Sequence, residues 1–135
     1  CSLIGFRILP LRRTLDSASA LATHLSETSS ETLLLFRVGF VIPEDILRSY
    51  TVVNVHVARL PHYAGLGSLL SALDRQDFAQ CATAHIATSA VDSGPVLLEV
   101  PYSLDPSFSY CANERIAYQA GVEALERLVQ GYAEL

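Results

Sequence analysis

Thr51-Val52-Val53-Asn54-Val55 is rich enough in β-branched residues to read as a strand, and it delivers Asn54 and then His56 at its carboxyl end. The earlier run Thr32-Leu33-Leu34-Leu35-Phe36 is continuously apolar, as a strand covered on both faces is, and is expected to lie centrally in its sheet. Between the two, Pro43 suits the first turn of a short helix whose positive end Glu44 and Asp45 favour. Strand, helix, strand is the order of an α/β sheet. Ligands of open α/β sheets sit beyond the carboxyl ends of the strands, so chemistry is expected beside Asn54 and His56.

The same alternation continues in both directions. Residues 2–9 read as a first strand closed by Pro10, and Leu15, Ala18, Leu21, Ala22 and Leu25 recur at helical spacing behind the caps Thr14 and Asp16, which predicts a helix over 16–26. Downstream, Pro61 and Gly65 bracket a loop, and residues 68–75 carry the Leu69, Leu70, Leu73 spacing of a helix. Residues 79–88 and 95–102 read as two strands joined by the loop that holds Asp92. From 108 to 134, Tyr118, Gly121, Val122, Leu125, Leu128, Val129 and Tyr132 mark one face of a long helix and Arg115, Gln119, Glu123, Arg127 and Gln130 the other, so this helix is expected to pack on the sheet. With no repeat, low-complexity tract or linker, residues 1–135 are expected to form one domain.

Composition excludes several classes of function. A formal charge of −5, with nine Arg and no Lys, provides no basic run to follow a phosphate backbone, and nucleic acid is not expected as a partner. Lysine's absence also removes Schiff-base catalysis and a Walker-type phosphate loop. Cys1, Cys81 and Cys111 are odd in number and irregular in spacing, which suits neither a disulfide framework nor a zinc knuckle. No Gly-x-Ser-x-Gly elbow occurs, and Gly65-Leu66-Gly67-Ser68 lacks the third glycine of a dinucleotide fingerprint. The apolar runs at 32–36 and 95–100 are too short to span a bilayer and no signal segment opens the chain, so a soluble, cytoplasmic protein is expected.

Four separated elements keep a common register. Val38-Gly39-Phe40-Val41-Ile42-Pro43 holds a Gly-x-x-x-Pro pattern; Asn54-x-His56 and Leu60-Pro61-x-Tyr63-x-Gly65 follow, then Thr83, and then Asp92-Ser93-Gly94-Pro95. In this order they resemble the folate-dependent formyltransferase family, in which Asn-x-His followed by Asp-x-Gly is the shared catalytic set. The likeness covers roughly residues 33 to 104. Cys81 stands where the family usually has glycine, and Val57-Ala58-Arg59 replaces the common Pro-Ser-Leu or Gly-Ser-Leu.

The resemblance implies a Rossmann-like, mostly parallel sheet flanked by helices, with a long C-terminal helix. It also implies a formyl donor, 10-formyltetrahydrofolate, a small-molecule amine as acceptor, and a place in one-carbon metabolism. Asn54, His56 and Asp92 would form the catalytic set. Val41, Ile42 and the loop Thr88, Ser89, Ala90 and Val91 would hold the folate, largely by backbone groups, and His62, Tyr63 and Gly65 would belong to a substrate loop. The family's opening strand, Gly/Ser-rich turn and second strand are not seen in this chain, which is expected either to be a fragment or to have lost a Met before Cys1. The apolar edge at Thr32–Phe36 would then need cover, either from residues 2–9 or from a second chain in a homodimer.

The groups themselves suit acyl transfer. An Asn54 amide and a protonated His56 can donate to the oxyanion of a tetrahedral intermediate, and Asp92 can hold the imidazole charged and relay a proton. Taken singly, an Asn-x-His at a strand end is more often a loop cap and an Asp-x-Gly more often a turn. His62 is expected to be an exposed loop residue, His85 a packed one and His24 solvated. Cys81 and His85 share a strand face but stand about 13 Å apart by strand geometry, so no metal site is expected. Three functional readings remain: an amine formyltransferase, a catalytically silent binding or assembly module that keeps the fold, and a hydrolase in which water takes the acceptor's place.

Overall fold

The computed structural model describes residues 17–26, 31–38 and 41–133, and the strand expected over residues 2–9 lies outside them. In chain order the elements are α1 Ser17–Ser26, β1 Thr32–Phe36, α2 Glu44–Ser49, β2 Thr51–His56, α3 Ser68–Asp74, β3 Ala79–Ile86, β4 Val96–Ser103 and α4 Tyr110–Ala133. Pro43 stands just ahead of α2 at φ −58°, ψ 146°, and its carbonyl accepts from the amides of Ile46 at 3.1 Å and Leu47 at 3.2 Å. A residue without an amide proton thus sits where its loss is harmless.

The described strands form one sheet in the order β1-β2-β3-β4. β1 and β2 run parallel, with Thr32 opposite Thr51 and Phe36 opposite Val55. The other two pairings are antiparallel, so the sheet is mixed over the described strands where a mostly parallel one was expected. Its connections explain this: residues 87–95 between β3 and β4 are too few for the crossover a parallel pair needs. β1, expected to be central, is an edge of the described sheet, and only Leu35 in it is fully buried.

Strand alternation divides the core in two. On one face Val53, Val55, Ala82, Ala84 and Val100 pack against Ala120 and Ala124 of α4, with Leu34 and Phe36 joining them. On the other, Leu35 and Val52 meet Leu21 and Leu25 of α1 and Ile46 of α2. Because side chains alternate, Asn54 and His56 project to the face of Val52, away from α4.

The buried stripe of α4 differs from the expected one. Asn113, Ala117, Ala120, Gly121 and Ala124 are buried, whereas Val122 is 44% exposed. Small residues prevail because the helix lies very close to the sheet: a β-carbon on Gly121 would stand 2.6 Å from Cε2 of Phe36. The side chain of Tyr132 lies outside the described ones. Among the described residues no helix is long and apolar enough to cross a membrane.

Candidate functional site

Pairing of β2 with β3 builds the site. Asn54 lies opposite His85 and His56 opposite Thr83, so all four side chains share one face at the carboxyl end of β2. The chain leaving that strand is held at three successive residues. The Tyr102 hydroxyl donates to the Val57 carbonyl, the Thr83 hydroxyl donates to the Ala58 carbonyl at 2.9 Å, and the Arg59 amide donates to Gln80 Oε1 at 3.0 Å. Burial, with Cys81 nearby, pushes the Tyr102 hydroxyl pKa upward, which keeps it a donor.

Asp92 enters from the loop between β3 and β4 with a left-handed backbone, φ 52°. The Asp-x-Gly pattern has a steric cause here, since a β-carbon on Gly94 would overlap the Ile86 carbonyl. Around the carboxylate a backbone amide, a side-chain amide and two imidazole nitrogens converge. Oδ2 accepts from the Gly65 amide at 2.8 Å and faces His56 Nδ1 at 3.4 Å. Oδ1 faces His85 Nε2 at 3.2 Å and Asn54 Nδ2 at 3.4 Å. Burial raises the carboxyl pKa, but the hydrogen bonds from His85 and Gly65 and the charge of the two imidazoles outweigh it and hold Asp92 at about 2.

His56 Nε2 lies 2.6 Å from the Tyr63 carbonyl, which can only accept, so that nitrogen carries a proton. With Nδ1 turned to Asp92, both ring nitrogens face acceptors, and the imidazolium satisfies both. His85 has two ways of pairing. Its Nδ1 donates to the Ile86 carbonyl at 3.2 Å, while Nε2 either donates to Asp92 or accepts from Asn54 Nδ2, also at 3.2 Å.

The structure therefore brings together Asn54, His56 and Asp92, as the sequence predicts, and adds His85. The sequence alone identifies that residue only as a packed strand histidine, and it is buried, 2% exposed. Its alternation with Thr83 was the available signal, but which face of β3 meets Asn54 depends on a long-range pairing.

These groups open on a cleft of about 1190 Å³. Val41, Ile42, Thr88, Ser89, Val91 and Gly65 line it, whereas Ala90 does not. The Ala90 carbonyl instead accepts from the Thr88 hydroxyl at 3.2 Å and the Ser93 hydroxyl at 2.9 Å, which shapes the turn. Of the expected substrate loop, His62 is exposed and does not line the cleft, and Tyr63 is buried with its hydroxyl donating to Asp77 at 2.7 Å. Among the described residues no group of three or more His, Cys, Asp or Glu is placed to hold a metal ion.

Comparison with known proteins points the same way as this geometry. A sequence model described as formyl transferase matches residues 7–125. Formyltetrahydrofolate deformylase of Corynebacterium sp. (strain P-1) is 26% identical over 109 residues, covering 78% of this chain and 38% of that protein. Methionyl-tRNA formyltransferase of Neisseria gonorrhoeae (strain NCCP11945) is 23% identical over 106 residues, covering 77% and 34%. The chain thus spans somewhat over a third of the length of these relatives. Phosphoribosylglycinamide formyltransferase from Streptococcus pneumoniae TIGR4 shares the fold, with a TM-score of 0.77 at 23% identity over 87% of this chain and 66% of that one.

Proposed function

The chain belongs to the formyl transferase family, and from that premise we propose that it transfers a formyl group from 10-formyltetrahydrofolate to a small-molecule amine. The observation that carries this reading is the convergence of the Asn54 amide and the His56 and His85 imidazoles on the Asp92 carboxylate, at the wall of one cleft. The cleft suits the donor: Val41, Ile42 and Val91 offer apolar walls and Thr88 and Ser89 hydroxyls, a mixture expected where a flat heterocycle is held.

In the proposed reaction the amine nitrogen attacks the formyl carbon, and the carbonyl π electrons move onto oxygen. The Asn54 amide and the His56 Nε2–H donate to that oxygen, the imidazole exchanging the Tyr63 carbonyl for it as acceptor. Asp92, ionised throughout the neutral range, sets its negative charge against Nδ1 of the same imidazole while the oxyanion exists. As the carbonyl re-forms, the bond to the folate nitrogen breaks. The proton lost by the amine is returned to the leaving nitrogen through the His56 and Asp92 pair and water.

Calorimetry with a 5- or 10-substituted tetrahydrofolate, followed by assay of amine formylation and of formate release, tests the proposal. Binding with formylated amine as product is expected. Formate released with no formylated amine would replace transfer by hydrolysis. A folded chain that neither binds nor consumes the folate would be a silent module and would overturn the reading.

A further inference from the structure

One cation in the cleft has no part in the mechanism above. Arg37, at the carboxyl end of β1, is the single Arg among the described residues that line the cleft, and the chain has no Lys. Its backbone is left-handed, φ 57°, a conformation that costs a non-glycine residue energy and that Asp92, which also lines the cleft, shares. The guanidinium carbon lies 3.9 Å from the centroid of the Tyr118 ring, which Phe36 in turn braces edge-on at 6.3 Å and 86°. Among the described residues no carboxylate lies within ion-pair distance of it. A guanidinium held by its face keeps its in-plane donors for an acceptor, in the fork geometry that suits carboxylate and phosphate.

The neighbours set a direction. Tyr110, Glu114 and Tyr118 follow at four-residue spacing on one side of α4, and all three line the cleft with Arg37. The positive charge of Arg37 draws an anionic end of a ligand toward α4, while an uncharged amine can approach the groups around Asp92. We propose that Arg37, stacked on Tyr118, is a specificity-determining residue that selects amine acceptors bearing a carboxylate or a phosphate. The acceptor role rests on the formyl-transfer reading; the anion site itself does not.

The test uses the full chain and three small amines: glycine, 2-aminoethyl phosphate and ethanolamine. NMR titration without donor should show glycine or 2-aminoethyl phosphate binding at least about tenfold more tightly than ethanolamine, as a charge-assisted pair implies, and the tighter of the two identifies the anion. R37G removes the guanidinium while its backbone accepts φ 57° without strain, so folding is preserved. In R37G the preference should vanish, and R37K should restore only part of it. With donor present, R37G should raise KM for the anionic amine far more than for ethanolamine. Equal affinities in the parent, an unchanged preference in R37G, or a loss of donor affinity in place of acceptor affinity overturns the proposal. Anion binding that follows Arg37 in a chain with no transferase activity would sink the formyl-transfer reading and leave the anion site standing.

Discussion

His85 Nε2 stands 3.2 Å from Asp92 Oδ1, joining the middle of the sheet to the loop that carries the carboxylate. The side chains are 2% and 9% exposed, so this contact is nearly dry. It is the largest of the influences that lower the Asp92 carboxyl pKa.

His85→Leu should therefore raise the Asp92 carboxyl pKa from its value of about 2 and leave a buried acceptor short of a donor. A stability loss of about 1–3 kcal/mol is expected. Carbon-detected NMR titration of the carboxyl and urea unfolding read the two effects; an unmoved titration would show that Gly65 and His56 suffice.

Acid should weaken the fold through Asp92. Its folded pKa of about 2 lies below the ordinary aspartate value of 3.8, so its contribution is complete above roughly 4 and is lost as pH falls through 2. Allowing for screening by solvent in an open cleft, the contribution is about 1–2 kcal/mol. Asp92→Asn should be less stable than the parent at pH 7, with the difference closing between pH 4 and 2. A gap that stays constant over that range would separate the residue from the acid limb.

His56→Ala removes a donor used mainly in the transition state. Turnover should fall ~100-fold or more while folate affinity stays nearly unchanged. Steady-state kinetics beside calorimetry distinguishes the two, and full activity in the variant would end the role proposed for His56.

Val91 is 60% exposed at the cleft wall, so Val91→Trp should fill the proposed folate position without disturbing the core. Folate binding should be lost while the unfolding midpoint hardly moves. Undiminished binding would place the folate elsewhere.

Gly121→Ala tests the close packing of α4. The added methyl meets the Phe36 ring at 2.6 Å, and overpacking of this kind costs roughly 1–3 kcal/mol, only partly offset by the ~1 kcal/mol gain in helix propensity. A lower Tm is expected; a higher one would mean that the ring moves aside freely.

Local patterns made much of this legible. β2, α2 and the loop of Asp92 follow from β-branched residues, proline and glycine, whose preferences act over a few residues; the strand-end position of Asn54 and His56 follows from that pattern, and their grouping with Asp92 from the family resemblance. His85 was not assigned to the site because nothing local distinguishes a strand histidine facing a core from one facing a carboxylate; the Asn54 to His85 register decides it. The packing stripe of α4 was misplaced for another reason. Ala117, Ala120 and Ala124 carry a weak hydrophobic signal, yet their small size is what permits contact with the sheet.

The three anchored residues after His56 have a consequence for where entropy is lost. With Val57, Ala58 and Arg59 tied to side chains of β3 and β4, the segment leading from the imidazole is ordered when the chain folds, not when a ligand arrives. A catalytic group positioned in advance spares the encounter with ligand that ordering cost, which in poorly organised sites lowers affinity and rate together. The Arg59 amide should accordingly exchange with solvent only through large-scale opening of the sheet, while the amides of residues 88–91, in the loop after β3, exchange through local motion.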